Sequence, residues 1–296
     1  MALRIIDNAL PVAQERPRKL QKLPKQPEMG VNDENNPVAQ PPQPSADLSV
    51  DYVASEDLEP LSDPESASKS LLEELASKDW TKVCEALNNT RRMALHHSSL
   101  LLPILGKVIV GMVKTMKSPR SALCKTSIMA SADFFNAFGE TLLEEPHSNP
   151  IHDLILQLLM KASQDKKFVC EEADRALNAM VNSVAPVPLL RQLQCYVGHS
   201  NLRIRAKAAV SISNCLSKMG LVEMEGFGSV SMAKMAADLL NDKLPDAREA
   251  ARSIVNSVYQ KITAEEENKQ EAWQKFCETN LTQLNAQAMM KIVSSR

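Results

Sequence analysis

The sequence predicts an all-α fold, a solenoid of stacked helix pairs behind a disordered N-terminal tail. Three observations lead there. From about residue 68 onward, apolar residues recur at helical spacing and no alternating strand pattern interrupts them. Short breaks rich in Ser, Asn, Pro and Gly separate the helical stretches. The stretches that follow those breaks are alike, at a period of roughly 40 residues.

The tail comes first. Residues 1–64 hold 10 of the 17 prolines and carry 6 Lys/Arg against 11 Asp/Glu, a net of −5. Runs such as "NDENNPVAQPPQPSADL" are too proline-rich and too poor in apolar residues to fold compactly, so 1–64 reads as a disordered, acidic, Pro-rich tail. The opening "MALRIIDNALPVAQERPRK" has no long apolar run and does not read as a signal peptide. No stretch approaches 18 consecutive apolar residues, so no membrane span is expected.

Residues 65–296 carry 28 basic and 25 acidic residues, a net of +3, and are enough to bury a core without metal or disulfide. "LLPILGKVIVGMVKTM", "PIHDLILQLLMKA", "VPLLRQLQCYV" and "SMAKMAADLL" read as first helices of pairs. The second helices follow the breaks: "DWTKVCEAL", "SPRSALCKT", "DKKFVCEEA", "SNLRIRAKAA" and "KLPDAREAA". One register aligns Val83, Leu123, Val169, Ile204 and Ala247, at spacings of 40, 46, 35 and 43 residues. That is a HEAT-type α-solenoid. The pairs run 68–97, 100–139, 150–184, 186–218 and 228–262, and a last amphipathic stretch, 265–291, carries Trp273 and Phe276 as a terminal cap or incomplete sixth repeat. Cys84, Cys124 and Cys170 fill one equivalent slot as small packing residues. Stacked repeats sit too far apart to pair them, and scattered cysteines fit a reducing compartment.

Catalysis needs a nucleophile, a base and an orienting group in one pocket, and no such set is visible. His96 and His97 are adjacent and point to different sides of a helix, and His147 and His152 flank a probable turn. With few glycines there is no phosphate-cradling loop. The chain reads as a binding surface, with no enzyme activity, cofactor or metal expected.

The intra-repeat turns line up along one edge of such an array. They carry Lys78, Asp79, Trp80 and Lys82; Lys117, Ser118, Pro119 and Arg120; Asp165, Lys166 and Lys167; His199, Asn201 and Arg203; and Asp242, Lys243 and Pro245. Basic side chains at a helix start oppose the helix dipole, so local stability does not explain them. Lys78 and Lys117 also end the preceding helices, where a cation is favoured. Trp80 has two readings. Its register equivalents Arg120, Lys166 and Asn201 are polar, which fits an exposed anchor, yet it also lies on the stripe of Val83, Cys84 and Leu87, which fits a core cap. In "KSPRS", Ser118 fits an N-cap with Pro119 at the first helical position, and Ser118 is also a candidate phosphorylation site.

The stretches "DWTKVCEAL", "SPRSALCKTSIMASADFFNAFG", "DKKFVCEEADRAL" and "SNLRIRAKAAV" resemble TOG domains of the CLASP and crescerin type, over about residues 68–262. The resemblance implies binding of αβ-tubulin or microtubules along the turn edge and a place in the cytoplasm on the microtubule cytoskeleton. It implies that Trp80 and Lys82 meet β-tubulin, that Lys117, Arg120, Lys166 and Lys167 extend that contact, and that Arg203 reaches toward α-tubulin. Phosphate on Ser118 would weaken such binding. An alternative reading is a HEAT/armadillo scaffold holding a peptide in its concave groove. Asn178, Asn214 and Asn256 fall near one repeat position, but no partner Trp accompanies them. Nucleic acid is not an expected partner of a body at +3 with few aromatics.

Overall fold

A computed structural model describes residues 52–144 and 148–294. The expected disorder of the tail up to residue 51 lies outside the described residues, as does His147.

Every regular element among the described residues is helical. The first pair is α1 (Pro64–Leu75) and α2 (Trp80–His96). In the second, α3 (Ser98–Leu101), a 3-10 turn (Leu102–Ile104) and α4 (Leu105–Met116) lead to α5 (Ser121–Phe138). The third pair is α6 (Ser148–Ala162) and α7 (Lys167–Ser183), and the fourth is α8 (Pro186–Gln194) and α9 (Leu202–Leu216). In the fifth, Gly228, at φ 99°, divides α10 (Leu221–Phe227) from α11 (Ser229–Leu240) before α12 (Pro245–Ile262). α13 (Lys269–Asn280) and α14 (Gln283–Ser294) follow. The second helices α2, α5, α7, α9 and α12 pack side by side in one layer, and each also packs on a first helix of the array.

One continuous core runs through the array. Leu71, Leu87, Ile109, Phe134, Leu158, Ala176, Ile212 and Ile254 are all fully buried. The run Ser98–Met116 is long and apolar enough to cross a membrane by length and composition alone, but Leu101, Leu105, Val108, Ile109, Met112 and Met116 are its buried face, and α4 packs on α1, α5 and α6. Gly139 ends α5 where a Cβ would meet the Ser183 carbonyl oxygen at 2.0 Å, so the close approach of α5 and α7 requires glycine. Cys84 and Cys124 are buried, Cys170 is half-buried, and all three thiols are free.

Two expectations change. The boundary at residue 65 falls inside the packed body. Asp63 caps α1 by accepting the Ser66 N–H at 3.0 Å, and residues 53–58 form a strap across α2 and α5. Beneath the strap Arg91 is paired with Asp133 at 2.7 Å, their side chains 1% and 3% exposed. The guanidinium also donates to the Val53 carbonyl at 2.8 Å and the Ser55 hydroxyl at 3.1 Å, while Ser55 donates to Asp133 at 2.7 Å. Leu58 is buried, and its carbonyl lies 2.7 Å from His96 Nε2. A buried ion pair is tolerable only with its remaining hydrogen bonds satisfied, and the strap supplies them. The second change is at the other end. The stretch 265–291, read as one amphipathic stretch forming a terminal cap or incomplete sixth repeat, breaks at Leu281 into two helices, α13 and α14, both packed on α12. Trp273 is buried between Tyr259, edge-on at 5.5 Å, and Phe276, stacked at 5.6 Å.

Candidate functional site

The intra-repeat turns differ in what their side chains already hold. In the first turn, Asp79 caps α2. Its carboxylate accepts the Thr81 hydroxyl at 2.7 Å and the Thr81 N–H at 2.9 Å, and these bonds hold it below the usual carboxylate range. The cap sets Trp80 at the helix tip. The indole is half-buried and rests on the core, and the Arg120 guanidinium of the second turn lies over it, 5.1 Å from the ring centroid. The ring therefore packs on the core and also carries a cation. Lys82 is exposed one step along α2 and makes no ion pair among the described residues.

The second turn departs from expectation. Ser118 does not cap α5, because the helix begins at Ser121 and its N-cap is Arg120. The Ser118 hydroxyl instead accepts the Arg120 N–H at 3.2 Å, closing a turn through Pro119 ahead of the helix. Lys117 is exposed at the C-cap of α4, where the dipole favours a cation. In the third turn Lys166 is the N-cap of α7, and Lys167 reaches Glu171 at 3.7 Å with both side chains mostly exposed. Neither α5 nor α7 has a side-chain cap at its N-terminus.

The later turns are tied internally. Asn201 caps α9 by accepting the Arg203 N–H at 2.9 Å, and Arg203 donates to Asp165 at 2.7 Å and to the Ser163 carbonyl at 3.1 Å. Deeper on the same seam, Lys207 pairs with Asp174 at 2.7 Å and Lys218 donates to Asn182. In the fifth turn Asp242 takes Arg205 at 2.8 Å and the Leu244 N–H at 2.9 Å. Burial works against the Asp242 charge, yet the Leu244 amide and Arg205 hold its carboxyl below the usual range. Arg248 donates to the carbonyls of Asp242 at 2.7 Å and Lys243 at 2.9 Å.

The structure thus brings Trp80 and Arg120 into contact and sets Lys117 and Lys166 on one cleft. Lys82 and Lys167 are exposed along the same edge, and Arg203 is held by Asp165. Two aromatics were missed. Phe168 is 43% exposed beside Lys167, in the register position of Lys82 and Arg203, so the alignment could have found it. Tyr52 is 41% exposed with the Lys125 ammonium 4.1 Å from its ring centroid. Burial, then the Cys84 and Cys124 thiols beside it, push its hydroxyl upward, which places Tyr52 near the first two turns. No sequence signal marked it, because the strap read as tail.

Among the described residues no group of three or more His, Cys, Asp or Glu could hold a metal. His152 is stacked on Tyr196 at 5.3 Å, and His96 is engaged by the strap.

The family model described as "CLASP N terminal" matches residues 78–279. TOG array regulator of axonemal microtubules protein 1 of Homo sapiens is 32% identical over 163 residues, 54% of this chain and 9% of that protein. Its counterpart in Mus musculus is 32% identical over 159 residues, with the same coverage of 54% and 9%. The match therefore spans less than a tenth of the length of either relative. Among solved structures, the TOG domain of C. elegans Zyg9 superposes with a TM-score of 0.58 at 15% identity, covering 82% of this chain and 90% of that one. A crescerin structure, described as using a TOG domain array to regulate microtubules in the primary cilium, gives a TM-score of 0.55 at 14% identity, with 82% of this chain and 92% of that one covered.

Proposed function

The chain belongs to the CLASP N-terminal family and has the fold of a TOG domain, and from that premise we propose that it binds αβ-tubulin or microtubules along its turn edge. The relatives' names tie them to microtubules of the axoneme and cilium, which supports a microtubule-associated role here.

The observation that carries the reading is the first-turn pair. A half-buried indole held under a guanidinium, with Lys82 on the same helix and Lys117 and Lys166 on the next two turns making no ion pair among the described residues, is a preformed aromatic and cationic anchor. Trp80 is the central contact. Arg120 lies over it, Lys82 follows it on α2, and Lys117, Lys166, Lys167 and the apolar Phe168 continue the edge on the next two turns. Arg203 lies farther along and is partly neutralised by Asp165. Tubulin is acidic, which matches this charge pattern. Phosphate on Ser118 would place negative charge between Lys117 and Lys166 and weaken the contact. The chain acts by binding and not by catalysis.

The strap bears on the groove alternative. Residues 53–58 already lie across α2 and α5, so a peptide would have to displace them from the first repeats. Affinity for unpolymerised tubulin, compared between the full chain and Trp80→Glu, tests the proposal. Loss of binding in a folded variant supports it, and equal affinity refutes it.

A further inference from the structure

Between the second and third turns lies a cavity of about 220 Å³. Its charged lining consists of Lys117, Lys161 and Lys166, with Ser118, Ser121 and Cys124 beside them and no carboxylate. Lys161 is the informative residue. It comes from the C-terminal end of α6, is only 9% exposed, and makes no ion pair and no side-chain hydrogen bond to a carboxylate or carbonyl among the described residues. Its nearest polar neighbour is the Cys124 thiol: burial pushes that thiol up, and the ammonium groups of Lys161 and then Lys166 oppose the shift. A lysine this enclosed usually has an anionic partner. The same cavity is bounded by the N-termini of α5 and α7, both without a side-chain cap, and by the C-terminal ends of α4 and α6, so its positive character rests on the three lysines and not on the helix dipoles.

The neighbouring gaps show what completes such a site. Between the third and fourth turns, Asp165 sits against Arg203; between the fourth and fifth, Asp242 sits against Arg205. Each has a carboxylate from this chain. The gap between the second and third turns has the cations and the helix ends, but no carboxylate of its own.

We propose that this cavity is an oxyanion-binding site, taking one phosphate or carboxylate group between Lys161 on its floor and Lys117 and Lys166 at its mouth. Two sources can supply that group: free phosphate, or an acidic side chain of the partner docked on the edge. Only the second rests on the tubulin reading.

The test uses the full chain and inorganic phosphate, titrated against sodium chloride at constant ionic strength. At about ten times Kd, phosphate raises the Tm by roughly 3–6 °C. Lys161→Met, which keeps the volume and removes the ammonium, abolishes that rise. Ser121→Asp, which places a carboxylate in the cavity, abolishes it too while melting no earlier than the parent. Phosphate competition against tubulin then separates the sources. Competition, together with weaker tubulin binding by Lys161→Met, assigns the site to a partner carboxylate. Saturable phosphate binding without competition assigns it to the free anion. A phosphate response no larger than that of chloride, or one retained in full by Lys161→Met, overturns the proposal. No tubulin enters the phosphate titration, so failure there is distinct from failure of the tubulin reading.

Discussion

The gap between the second and third turns and the gap between the third and fourth are built from the same parts and end differently. Each lies where two second helices meet at the edge, and each gathers basic residues. On the α7–α9 seam the cations are answered from within: Arg203 by Asp165, Lys207 by Asp174, with Lys218 donating to Asn182. The contact between α7 and α9 is also less extensive than that between α5 and α7. On the α5–α7 seam the helices come close enough to require Gly139 and Lys125 is answered by Glu172 at 3.9 Å, but Lys117 and Lys166 at the edge have no carboxylate. Counting Lys and Arg per turn makes the two gaps nearly alike, four against three. What a partner can use is the charge that the fold has not already engaged, and by that measure the proposed contact falls on the first three turns.

The largest expected effect lies on the α2–α5 seam, where the ion pair is buried. Asp133→Ala leaves Arg91 charged and enclosed beneath the strap, and should cost about 3–5 kcal/mol, read from urea unfolding. A loss under about 1 kcal/mol would mean that Arg91 reaches water when unpaired, and would remove the distinction between buried and edge pairs.

Next is the anchor. Trp80→Glu should weaken tubulin binding at least roughly 30-fold, about 2 kcal/mol or more. Because the ring is only half-buried, its stability loss should stay below the roughly 3–5 kcal/mol of a fully enclosed aromatic truncated to alanine. Early melting with affinity retained by the folded fraction would make the residue core alone.

Reversing the third turn comes third. Lys166→Glu with Lys167→Glu should reduce tubulin affinity several-fold, on the order of 1 kcal/mol, and flatten its salt dependence, while melting stays within about 0.5 kcal/mol. Unchanged affinity in the folded double variant would make this turn a solvated face.

The smallest effect sharpens the comparison from the other side. Arg203→Gln breaks a pair whose side chains are 58% and 89% exposed, so stability should fall by no more than about 1 kcal/mol. Its effect on tubulin affinity should be smaller than that of the third-turn reversal. A larger effect would show that the internally paired half of the edge also binds.

The helix pairs, their register and the edge were legible in the sequence because solenoid packing repeats. Val83, Leu123, Val169, Ile204 and Ala247 meet equivalent neighbours and are all buried. The strap was not legible. "DPES" is an N-cap followed by a first-turn proline, but among so many prolines it read as tail, and the burial of Arg91 depends on residues distant in sequence. The break at Leu281 was missed because α13 and α14 are both short and amphipathic. At the edge, the chain showed which side chains were basic, while Arg203 and Lys161 acquire their opposite situations only from helices packed beside them. Phe168 was overlooked because the search followed charge, although its register position was already marked by Lys82 and Arg203.

Amide hydrogen exchange on the full chain, with and without tubulin, tests the division of the edge most directly. The account predicts new protection at 79–83, 117–123 and 165–169, with little change at 242–248. Protection confined to the strap-bearing faces of α2 and α5, or strongest in the fifth turn, would contradict it.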